Sequence, residues 1–141
     1  MTCIAWDGKT LAADKMFVRG DTIGSVLKIW AYKDVTFACY GDLSLGIQMR
    51  DHLLSDEKPW PKPDAECFAG LVVLDGNGIH FYESGSSPVP IYPTDNICAW
   101  GVGREAALGA MEMGADAVRA VEVASKWVGG CGRGVDSITV R

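Results

Sequence analysis

Long apolar runs are missing from this 141-residue chain. None approaches the roughly 18 residues that a membrane-spanning helix needs, so no membrane partner is expected. The amino end lacks the basic segment and long apolar core of a secretory signal. A basic face is missing as well: the formal net charge is −5, and charges of both signs are mixed along the chain. Phosphate backbones need positive surface, so nucleic acid is not an expected partner either. The five cysteines are scattered, with no CxxC pair. Their odd count and wide spacing fit neither a zinc site nor a disulfide framework, so no metal and no cofactor is expected. A reduced, cytoplasmic protein is. Only two histidines occur, and both His52 and His80 read as surface residues, one on a helix and one on a strand.

What is present is the composition of a globular protein, with 48% hydrophobic and 22% charged residues. The length suits one domain, residues 1–141, with a real core. TCIAW and KTLAAD flank Asp7-Gly8, a preferred pair for a two-residue hairpin turn. SVLKIWAY and DVTFACY are two further β-rich runs separated by Lys33-Asp34. GDLSLGIQMRDHLL reads as a helix starting near Gly41, with Leu43, Ile47, Leu53 and Leu54 at helical spacing. Three prolines between Pro59 and Pro63 forbid a regular helix there. AGLVVLDGNGIHFYES is a hairpin turning at Asp75 to Gly78, and Ile97 to Trp100 is a short strand. REAALGAMEMG is a helix stopped by Gly114; a second begins at Asp116 as N-cap, with an apolar stripe of Ala117, Val118, Val121, Ala124 and Val128. GVDSITVR is a terminal strand. Hairpins in place of βαβ crossovers predict mainly antiparallel sheets. Helices grouped between them predict an α+β chain of two packed sheets with helical outer layers.

Two glycine-rich stretches read as connections. GVGREA, from Gly101, lacks the third glycine of a dinucleotide loop and reads as a tight strand-to-helix turn. GGCGRG, from Gly129, holds Cys131 without a neighbouring base and reads as a helix-to-strand loop. The N-terminal hairpin carries more chemistry. If its turn centres on Asp7-Gly8, Trp6 faces Lys9, Thr2 faces Ala13, and Asp14 lies one residue further, within reach of the amino end. Lys28 falls in the apolar run from Val26 to Trp30. It sits either at a strand edge with its ammonium in water, or buried beside a carboxylate.

TCIAW with LAAD, then SVLKI, FACYGDLSLGIQMRDHL, AWGVGREAALGAMEMG and a closing DSITV, resemble the proteasome β-subunit family, in its bacterial HslV form. The resemblance runs through nearly the whole chain. It implies a four-layer αββα sandwich, the N-terminal nucleophile hydrolase fold, in a truncated version of the kind a phage or bacterium could encode. It also implies a threonine-type endopeptidase. Once Met1 is removed, the free α-amine of Thr2 would act as base for its own hydroxyl, because an alcohol is a weak nucleophile without one. Lys28 would favour the neutral amine and the developing oxyanion, Asp14 would hold Lys28, and the backbone N–H of Ala38 would bind the oxyanion. Cys3 is not the nucleophile, since loss of Met1 leaves Thr2 at the end. The implied partners are peptide or unfolded protein as substrate, identical copies forming a ring, and an ATP-dependent unfoldase. Two rivals remain. One is an inactive structural or assembly subunit, in keeping with Val102 where the family has serine and with Trp127 to Cys131 where it has Asp-x-x-Ser. The other is an N-terminal nucleophile amidase acting on a small amide.

Overall fold

The computed structural model describes residues 1–62 and 64–140. In chain order the elements are β1 (Cys3–Trp6), β2 (Thr10–Asp14), β3 (Met16–Arg19), β4 (Thr22–Ser25), β5 (Ile29–Tyr32), β6 (Val35–Gly41), α1 (Leu43–Leu54), β7 (Ala69–Asp75), β8 (Gly78–Glu83), β9 (Cys98–Gly101), α2 (Arg104–Glu112), α3 (Ala117–Trp127) and β10 (Val135–Thr139). The chain divides into two compact units, one formed by residues 1–29 with 94–141 and the other by residues 30–93. Pro63, the last proline of the loop after α1, and Arg141, at the end of the terminal strand, lie outside the described residues.

In the first unit the sheet runs β10-β2-β1-β9, and all its pairings are antiparallel. Helices α2 and α3 cover one face. The core between them is built from small side chains: Cys3, Ala5, Ala12, Ala107, Ala117, Ala120, Val121, Ala124 and Cys131. Small residues let helix backbones come close to the strands, and Gly103 marks the tightest point. A Cβ at Gly103 would lie 2.7 Å from the Cys3 Cβ and 3.1 Å from that of Ala124. Asp116 caps α3 by accepting from the Arg119 N–H at 2.8 Å, as expected. Gly114, at φ 103°, ends the segment after α2.

The first hairpin departs from the predicted register. Trp6 pairs with Leu11 and Ile4 with Ala13, so the turn centres on Gly8-Lys9. Gly8 has φ 94° and Lys9 has no positive φ, the pattern of a turn that takes glycine at its first central position. Asp7 decides this. Its Oδ1 accepts the N–H groups of Lys9 at 2.9 Å and Thr10 at 2.7 Å, which fixes the aspartate before the turn and not inside it. The register moves by two residues, so every side chain keeps its face, and Asp14 comes opposite Cys3.

Residues 15–28 also differ from the prediction. The expected strand from Ser25 to Tyr32 breaks, and a separate exposed hairpin, β3 with β4, precedes the break. Lys28 lies in the irregular residues 26–28 and not on a strand.

In the second unit the sheet runs β5-β6-β7-β8, again antiparallel where the register is defined, with α1 packed on β6 and β7. Asp42 caps α1 by accepting from the Leu45 N–H at 2.8 Å. The buried face of α1 is Leu45, Gly46 and Met49; Leu43 and Leu53 of the predicted stripe pack half-buried against the same cluster, while Leu54 is exposed. Gly46 lets the helix come close to β6, since a Cβ there would collide with the Cys39 Sγ. His80, expected at the surface, is buried on β8, where its ring stacks on Tyr92 at 4.9 Å. Among the described residues no helix is long and apolar enough to cross a membrane.

Candidate active site

Three of the four residues singled out from the sequence meet in the first unit. Asp14, at the end of β2, is fully buried and accepts four hydrogen bonds. Its Oδ1 takes the Cys3 N–H at 2.9 Å and Lys28 Nζ at 2.9 Å; its Oδ2 takes the Gly132 N–H at 3.0 Å and the Met16 N–H at 3.2 Å. A carboxylate so provided with donors is held in one orientation.

Lys28 is 5% exposed and ion-paired with Asp14. Of the two settings open for it, the structure has the buried one. Its ammonium spends all three donors: on Asp14, on Thr2 Oγ1 at 3.3 Å, and on the Met1 carbonyl at 3.0 Å. Thr2, 3% exposed, therefore receives a hydrogen bond at Oγ1 from a cation and keeps its own hydroxyl proton available for another acceptor. Ala38 lies in the second unit, fully buried on β6 and paired with Val72 of β7.

The two glycine loops supply what sequence reasoning left out. GVG at the head of α2 is the expected tight turn, but it also fixes Thr2. The Gly103 N–H donates to the Thr2 carbonyl at 3.2 Å, and a Cβ on Gly101, at φ 90°, would collide with that same oxygen. GGCGRG is the expected loop before β10, and its Gly132 reaches 118 residues back to Asp14 while its carbonyl accepts the Lys15 N–H at 3.0 Å. A Cβ on Gly130 would lie 2.5 Å from the Met1 Sδ, so that glycine makes room for the first side chain. Glycine signals in the sequence mark these places; which backbone group each serves has no sequence signature.

The neighbouring thiols are inert. Burial pushes Cys3 up to about 12, with Cys131 and Asp14 adding to it, and burial with Asp14 pushes Cys131 up to about 11. Neither is a thiolate near neutral pH. Among the described residues no group of three or more His, Cys, Asp and Glu side chains could hold a metal ion.

Antiparallel sheets with helices packed on them make this an α+β fold, like that of HslV-type N-terminal nucleophile chains. The particular likenesses are to proteasome-type chains. Thiobacillus denitrificans BPH in complex with epoxomicin is similar over 100% of this chain and 98% of its own, with a TM-score of 0.73 and 20% identity. BPH from the same organism without that compound gives 0.73 and 19% over the same spans. Eukaryotic HslV from Trypanosoma brucei gives 0.75 and 18%, over 99% of this chain and 98% of its own. At these identities the likeness establishes the fold, in agreement with the resemblance read from the sequence. No family model matches the chain, and no curated protein matches it in sequence.

Proposed function

We propose that this chain is a threonine-type endopeptidase of the proteasome and HslV kind, with Thr2 as nucleophile after Met1 is removed. The observation that carries the reading is the buried Lys28 ammonium, which joins Thr2 Oγ1 to the Asp14 carboxylate. Loss of Met1 would expose the α-amine of Thr2, whose ordinary pKa of about 7.7–8.0 leaves part of it neutral near pH 7. That amine, through a water, takes the hydroxyl proton as Oγ1 attacks a peptide carbonyl. Lys28 then stabilises the alkoxide as it forms, and Asp14 keeps the lysine in place. Removal of Met1 also takes away the carbonyl that Lys28 holds, freeing one ammonium donor beside the reacting atoms. The Ala38 N–H is the proposed oxyanion donor, a role in which one backbone group supplies roughly 3 kcal/mol. Water hydrolyses the acyl-threonine ester. We place the enzyme in the cytoplasm of a bacterium, or encoded by a phage, as a ring of identical subunits served by an ATP-dependent unfoldase.

The test is hydrolysis of a fluorogenic peptide, alongside intact mass and N-terminal sequencing. Thr2→Ala should abolish turnover and leave folding intact; unchanged turnover refutes the role of Thr2, and quantitative retention of Met1 removes the base altogether. Epoxomicin, held by one of the similar structures, is a second probe. A second reading, an inactive assembly subunit, is favoured by Val102, which is 48% exposed where the family has serine. Ring formation together with absent turnover would select it.

A further inference from the structure

In the loop GGCGRG, Arg133 shares the left-handed backbone of the glycines beside it, at φ 65°. Glycine adopts such angles freely, whereas a residue with a Cβ does so at a cost. Among the described residues the one other non-glycine with positive φ is Lys33, in the tight turn between β5 and β6, where the angle is usual. Arg133 stands between α3 and β10, outside any hairpin. A side chain retained there in spite of the strain points to its contact as the reason.

That contact is with Ser25, whose Oγ accepts the Arg133 Nε–H at 2.8 Å. Ser25 ends β4, in an exposed two-stranded hairpin, and such a hairpin is marginal alone in water. Beyond it residues 26–28 are irregular, and Leu27 is half exposed, so apolar packing does little to place them. Hydrogen bonds do more. The Val26 N–H donates to the Lys15 carbonyl at 2.8 Å, and the Lys15 N–H to the Gly132 carbonyl at 3.0 Å. Adjacent residues of one loop thus reach both members of the buried ion pair. Gly132 holds Asp14 directly, through its N–H at 3.0 Å; Arg133 holds the segment that carries Lys28, through Ser25. The Lys28 ammonium lies 3.3 Å from Thr2 Oγ1, and a misplacement of about 1 Å near reacting atoms can cost about 10²-fold in rate.

We infer that Arg133 is a positioning residue, which acts through Ser25 to hold Lys28 against Thr2. Its effect on rate rests on the peptidase reading; the tether itself does not.

Arg133→Gly in the full chain removes the side chain and relieves its backbone at once. The urea midpoint should therefore equal or exceed the parent's, while kcat for a fluorogenic peptide falls about tenfold with KM unchanged. Ser25→Ala should lose as much kcat, and the double variant no more than either one, because both act through one bond. Amide hydrogen exchange, read by mass spectrometry, should be about tenfold faster at residues 25–29 in either variant and unchanged in β1 and β2. Unchanged kcat in Arg133→Gly overturns the inference, as do losses that add in the double variant. If the parent turns over no peptide, the peptidase reading falls and exchange alone decides. Rates at residues 25–29 equal to the parent's then overturn the tether, and faster ones uphold it.

Discussion

Replacing Asp14 by asparagine removes one negative charge from a fully buried position while keeping the side chain's size. Asparagine can still accept from the Cys3 N–H and Lys28 Nζ with its oxygen. Its NH2 group then occupies the Oδ2 position, where it meets the Gly132 and Met16 N–H groups, donor against donor. Lys28, at 5% exposure, is left as a buried cation without a counter-charge. Breaking a buried pair in this way costs about 3–5 kcal/mol, and an orphaned buried N–H adds about 1 kcal/mol or more. About 4 kcal/mol is thus the lower expectation, against a total stability of about 5–15 kcal/mol for a protein of this size. In urea, with a slope of about 2 kcal/mol per molar, the midpoint should fall by about 2 M, read by circular dichroism. Adding Lys28→Met to Asp14→Asn removes the uncompensated charge and should restore a good part of that loss. A midpoint shift below about 0.5 M, or a double variant no more stable than the single one, refutes the buried-charge argument.

Gly101→Ala should cost about 2–4 kcal/mol in thermal or urea unfolding, from a left-handed φ of 90° and a Cβ driven into the Thr2 carbonyl. Asp7 joins the first turn to α3, its Oδ2 accepting the Ala117 N–H at 2.8 Å, so Asp7→Ala should cost about 1 kcal/mol at neutral pH. Burial pulls the Asp7 carboxyl upward, but the Thr10, Ala117 and Lys9 N–H groups outweigh it and hold it below its ordinary 3.8. Its contribution is therefore complete above that pH and lost as the pH falls through the lower folded value, so the gap between Asp7→Ala and the parent should close in acid. Iodoacetamide at pH 8 should label Cys67, the exposed thiol, first and leave Cys3 and Cys131 protonated and unmodified in the folded chain. Intact mass with peptide mapping reads the outcome, and early labelling of Cys131 would contradict its burial.

The helices and hairpins were legible where local chemistry decides them. Asp116 announces a helix start through its side chain, and Gly114 announces a stop through its backbone. Asp7-Gly8 correctly announced a turn but not its centre, because the carboxylate of Asp7 binds the N–H groups after it and so stands outside the turn. Thr2 and Asp14 stood out because the hairpin joins them, and a shift by two residues left their faces unchanged. Lys28 was ambiguous for a different reason: an apolar neighbourhood fits a strand edge and a buried pair equally, and only the partner carboxylate separates them. The backbone donors to Asp14 were out of reach, since every residue except proline has an N–H and nothing in GGCGRG says where Gly132 points. His80 was misplaced because its burial depends on Tyr92, twelve residues away and brought back by a loop without a regular pattern.

The four donors on Asp14 have a consequence in time. Strand β2 lies between β1, from the start of the chain, and β10, from residues 135–139. As the chain leaves the ribosome, the first hairpin can form early, but β2 then has an open edge and Asp14 Oδ2 still lacks its Gly132 donor. Lys28 therefore gains a firmly oriented counter-ion only when residues 129–139 have been made and docked. The cluster around Thr2 is thus complete only after residues 129–139 have been made, long after the hydroxyl itself has left the ribosome.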